Sequence, residues 1–154
     1  MRKWNTQKST NLSIACTWVA MVLAVGAAVA LPFLPRLGHV GSLPVPGIII
    51  RRELPTMYLC IASGLFALIL LLQVLYSIRD GAVFTTGNVG RLRLISYCGF
   101  AIAVAALVTG LIYGDFLGWG PIGLVAGFLG LIMRVVKNVI DAARVLKEDS
   151  DYTI

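Results

Sequence analysis

Three stretches of this chain, residues 12–31, 57–78 and 94–113, carry no charged side chain at all. Each is twenty residues or longer. A bilayer's hydrocarbon core, about 30 Å thick, needs about 20 apolar residues in helix to cross it. A fourth apolar stretch begins at Pro121, stays apolar to Met133 and continues in a mixed pattern past Arg134 and Lys137. It spans if Arg134 extends its head group to the interface. Composition agrees: 58% of residues are hydrophobic and 13% are charged. A soluble domain of 154 residues has too much surface to cover with so few charges. The apolar content also excludes a disordered chain.

The sequence therefore predicts an all-α integral membrane four-helix bundle in one domain, 1–154. Its spans fall at about 12–31, 57–78, 93–113 and 121–140, and a tail covers 141–154. Ten of the 13 Lys and Arg fall in the N-terminal segment, the loop between spans two and three, and the end of span four. Only Arg36, Arg51 and Arg52 fall on the other side. The positive-inside rule puts both termini and the middle loop on the cytoplasmic side of the membrane. The net charge of +6 is then an orientation signal, and direct nucleic-acid binding is not expected. A rival reading makes span one a signal peptide cleaved after Ala28-Val29-Ala30, but its apolar run exceeds the usual h-region of about 7–15 residues.

The connections read as follows. Residues 32–56 hold five of the six prolines and are expected to form an irregular outer connector, with Ile48-Ile49-Ile50 as a short strand or interfacial segment. Gly81 suits a left-handed end to span two. Asn88 or Thr86 suits a cap for span three, with Phe84 packing back as a staple. Residues 114–120 read as a tight Gly-rich outer hairpin with Asp115 as a solvated turn acid, and Pro121 suits the first turn of span four. Trp119 and Tyr113 fit an interfacial aromatic belt. Gly123 and Gly127, four apart, allow close helix packing within the bundle. Span four is expected to continue into the cytoplasm as an amphipathic helix. Arg134, Lys137, Asp141, Arg144 and Glu148 lie on one face, with pairs Lys137–Asp141 and Arg144–Glu148. Val135, Val139, Ala142 and Leu146 form a second stripe that must pack on something.

Reactive groups are sparse. His39 is the single histidine, so no H-E-x-x-H zinc motif exists, and Ser13, Ser63 and Ser96 have no activating partner in sequence. Cys16, Cys60 and Cys98 are spaced for neither disulfide framework nor zinc. No enzyme, cofactor or metal is expected. Gln73 is the strongest polar group inside a span and is expected to hydrogen-bond between helices.

Phe84-Thr85-Thr86-Gly87-Asn88-Val89-Gly90-Arg91-Leu92-Arg93 resembles the F-T-x-x-N-V-x-x-L-R stretch of a bacterial family of small four-span membrane proteins, domain-of-unknown-function family 2975. The ending Asp149-Ser150-Asp151-Tyr152-Thr153-Ile154 resembles that family's E-N-D-L-T-I. Gly87, Gly90 and Tyr152 depart from its pattern. The resemblance implies a place beside small helix-turn-helix transcriptional regulators. The expected function is a non-enzymatic regulatory protein that docks a cytoplasmic partner of that kind. The expected docking residues are Asn88, Arg91, Arg93, Arg134, Lys137, Asp141, Arg144, Asp151, Thr153 and Ile154. Membrane lipid and a second copy of the chain are the other expected partners. Alternatives are a small transporter or channel subunit acting as an oligomer around Gln73, and an immunity protein against a membrane-active peptide that uses the first loop.

Overall fold

The computed structural model describes the backbone of residues 2–33, 39–40, 43–44, 47–81 and 85–152, and the side chains of 8–33, 51–81 and 85–150. The chain is all-helical in its long elements: α1 Arg2–Ala30, α2 Gly47–Arg79, α3 Thr86–Tyr113 and α4 Phe116–Tyr152. A single 3-10 turn, Leu31–Phe33, follows α1, and His39–Val40 pairs antiparallel with Leu43–Pro44 before α2. All four long helices are long and apolar enough to cross a membrane. In lipid every backbone N–H and C=O must be bonded within its own segment, and uninterrupted helix does this.

The helices pack as chain neighbours, α1 on α2, α2 on α3, and α3 most extensively on α4. The α3–α4 contact is made of small residues. A Cβ added at Gly99 would lie 3.0 Å from the Ala126 carbonyl oxygen and from the Gly130 Cα. Gly123 faces Ala103, Ala106 and Leu107, and Gly127 faces Ala103. The Gly123/Gly127 pair thus packs inside the molecule, where small side chains let two backbones approach. Leu70, Leu92 and Ile95 form the buried cluster at one end, with Met133 and Ile140 of α4 against it. Elsewhere large apolar side chains stay exposed: Val22 and Leu23 on α1, Leu111 on α3 and Leu124 on α4 are all more than 60% open. Lipid tails are the natural solvent for such a surface.

Two connectors differ from the sequence expectation. The helix begins at Gly47, so Ile48-Ile49-Ile50 is helical and Pro55 lies inside α2. A proline removes its own N–H and crowds one carbonyl, but it does not forbid helix on either side. In membrane helices that deficit is tolerated. The 114–120 hairpin contracts to Gly114-Asp115. Gly114 closes α3 at φ 73°, and Asp115 Oδ1 accepts the Gly118 N–H at 3.1 Å, which starts α4 at Phe116. Asp115 is therefore a cap, and Pro121 stands in the second turn of α4. The α4 helix has 37 residues, about 55 Å at 1.5 Å per residue, so it outruns a 30 Å hydrocarbon layer.

The α3–α4 seam predicts a sharp contrast between glycines. Gly99→Val is expected to lower stability by about 1–3 kcal/mol or more, because the added methyls meet backbone that cannot turn aside. Gly26→Ala, whose Cβ meets nothing within 4 Å, is expected to leave the thermal midpoint unchanged or raised in detergent melting curves.

Candidate functional site: a cationic cavity between two helices

The first turns of α3 are set by the loop before them. Gly81, at φ 81°, ends α2 as expected. The cap of α3 is Thr85, one residue earlier than Thr86: its backbone is extended and its hydroxyl accepts the Asn88 N–H at 3.4 Å. Asn88 is consequently inside the helix and only 1% exposed. Its Nδ2 donates to Ser77 Oγ of α2 at 3.1 Å, and its Oδ1 accepts from Arg91 Nη1 at 3.0 Å. A buried amide satisfied from both sides joins α2 to α3 and offers a partner no surface. Asn88 is thus removed from the docking set, and Arg91 is folded back onto it. Phe84, Thr153 and Ile154 lie outside the described residues, as does the side chain of Asp151.

One helical turn further, Arg93, Ser96 and Tyr97 of α3 meet Arg134 and Lys137 of α4 around a cavity of about 230 Å³. Spacing of three and four residues puts each group on one face of its helix. The Gly99–Gly130 approach brings the two faces together. Ser96 Oγ donates to the Gly130 carbonyl oxygen at 2.7 Å, and this buried bond fixes the register beside the cavity. Arg93 and Arg134 are exposed and Lys137 is half-buried. No described carboxylate forms an ion pair with any of the three.

The ion pairs among the described residues are Arg79–Asp80 at 3.8 Å and Arg144–Glu148 at 3.3 Å. The second is the expected i,i+4 pair, whereas Lys137 and Asp141 do not pair: Lys137 lines the cavity instead. Asp141 and Arg144 are half-buried on the continuing helix. Val135, Val139 and Leu146 are 62%, 63% and 70% exposed, so the packing face of α4 is the neighbouring one, through Met133 and Ile140. Gln73 is exposed on α2 and forms no hydrogen bond with a described residue.

Residues 42–154 match the family described as protein of unknown function (DUF2975). The chain belongs to this family. Both segments that carried the resemblance, 84–93 and 149–154, lie inside the matched range. Comparison with curated proteins and with solved structures gave no match. In this member of the family the F-T-x-x-N-V segment has a structural meaning: Thr85 caps α3 and Asn88 fastens it to α2.

Sequence reasoning overlooked Ser96 and Tyr97 as cavity residues. Their spacing from Arg93 was visible, but their meeting with Arg134 and Lys137 depends on helix register. Asn88→Ala is expected to cost about 1–3 kcal/mol of stability by removing the buried bonds that Asn88 makes to Ser77 of α2 and to Arg91. The check is a thermal melt of the purified protein, with Gly87→Ala as a comparison at an exposed site.

Proposed function

We propose that this protein is a non-enzymatic docking protein of the bacterial cytoplasmic membrane, with both termini inside. Its cationic face receives an acidic surface of a cytoplasmic protein, with a small helix-turn-helix regulator as the leading candidate. The observation that carries this reading is the convergence of Arg93, Arg134 and Lys137 on one cavity without an ion-paired carboxylate. Cations held together in this way repel each other and attract an anionic group. The extension of α4 past the hydrocarbon layer, with Arg144–Glu148 on it, gives such a partner a rigid surface beside the cavity.

A second reading, an oligomeric transporter or channel subunit, has Gln73 in its favour. An amide exposed within a membrane-length helix gains most from a partner on another helix. Flux in reconstituted vesicles that is lost on Gln73→Leu would support that reading over the first.

The docking reading predicts three results. Tagged protein crosslinked in cells and recovered in mild detergent is expected to bring down a soluble acidic partner. Arg93→Glu, Arg134→Glu and Lys137→Glu are each expected to weaken that complex by about 2–5 kcal/mol while membrane levels hold, with steep dependence on salt. Crosslinks that persist in the triple reversal sink the proposal. Reporter fusions at the C-terminus are expected to be active only as cytoplasmic reporters, and a reporter active only outside would reverse the orientation.

A further inference from the structure

The opposite end of the molecule holds a second cavity, of about 440 Å³, between the end of α1 and the starts of α2 and α4. Leu31, Met57, Ile61, Trp119 and Ile122 give it mostly apolar walls. Two carboxylates, Glu53 and Asp115, line it as well, and no basic side chain among the described residues does. Glu53 is only 7% exposed, yet it forms no hydrogen bond or ion pair with a described residue. The neighbouring Arg52 does not neutralise it, because its guanidinium lies 4.2 Å from the centroid of the Tyr113 ring. Asp115 is partly committed, since one oxygen caps α4.

A carboxylate taken out of water without hydrogen bonds is costly unless a cation joins it. The chemistry of the walls selects the ligand. An anion is repelled by two carboxylates. A neutral apolar molecule fills the walls and leaves Glu53 uncompensated. A bare metal ion needs several ligating groups, and among the described residues no three His, Cys, Asp or Glu gather to hold one. A lipophilic organic cation answers both the charge and the apolar surface, and the Trp119 indole provides the aromatic wall that such cations favour.

We propose that this cavity binds a lipophilic organic monocation, an ammonium or phosphonium centre on an aromatic or aliphatic body, with Glu53 as its counter-ion and Asp115 at the side. The probe is tetraphenylphosphonium, titrated by equilibrium dialysis against the full chain in phosphatidylcholine nanodiscs, with empty nanodiscs subtracted. Saturable uptake is expected, and neutral triphenylphosphine oxide is expected to compete poorly. Glu53→Gln is expected to weaken binding by about tenfold or more, as removal of a buried counter-charge does. Ile61→Trp keeps the carboxylate and fills the cavity, and it is expected to block uptake too; it decides the matter if Glu53→Gln does not fold. Uptake no greater than that of empty discs, equal competition by the neutral oxide, or affinity unchanged in a folded variant would overturn the assignment.

Discussion

The close approach of Gly99 and Gly130 governs what the rest of the molecule can present. Helices in lipid gain nothing from hiding apolar surface from one another, so their contact depends on how near the backbones come and which polar groups then meet. Here the approach is close enough for Ser96 to donate to the Gly130 carbonyl oxygen at 2.7 Å. That bond and the small residues at 99, 103, 123, 127 and 130 hold α3 and α4 in one register. With the register fixed, positions 93 and 97 must face positions 134 and 137 at one end. At the other end Gly110 must face Trp119, whose Cβ would sit 3.2 Å from a Cβ added at Gly110.

Because α2, α3 and α4 run antiparallel in turn, one register sets two cavities, one near each end, lined by charges of opposite sign. The end near Thr85 gathers Arg93, Arg134 and Lys137, while the end near Tyr113 gathers Glu53 and Asp115. Each end also has its own fastening between α2 and α3. Asn88 bonds Ser77 at the cationic end, and Thr56 meets Thr109 at 2.9 Å nearer the other. The α1 helix is tied more lightly, by Tyr58 Oη to the Ala28 carbonyl at 3.3 Å and Trp18 Nε1 to Tyr76 Oη at 3.4 Å. Both cavities therefore sit against the firmly packed helices.

The elements legible in the sequence were those written locally. Uncharged runs marked the spans, Gly81 marked the end of α2, and the spacing of Arg144 and Glu148 marked their pair. Features that depend on two segments were not legible. Proline spacing in 32–56 pointed to an irregular loop, but the helix starts at Gly47 because a proline blocks only one bond. Asn88 has the residue type of a cap or a docking group, and only the position of Ser77 on α2 shows that it is an internal tie. Glu53 was invisible as a site for the same reason: in sequence it is one acid after two arginines, and its burial depends on α1 and α4.

The charges that line the two cavities stay unpaired for a common reason. Arg52 is adjacent to Glu53 in sequence and yet is held on the Tyr113 ring. Lys137 is one turn from Asp141 and yet lines the cavity beside Arg134. In both cases the nearest intrahelical partner is passed over for a position set by a neighbouring helix. On an isolated helix the i,i+4 pair Lys137–Asp141 contributes only about 0.2–0.5 kcal/mol, and less in the basic-before-acidic order, while sequence neighbours such as Arg52 and Glu53 do not face each other, so tertiary placement decides both. What remains is charge without a partner at each end of a tightly packed seam, and charge of that kind, in a protein whose other surface faces lipid, is where external chemistry has a reason to bind.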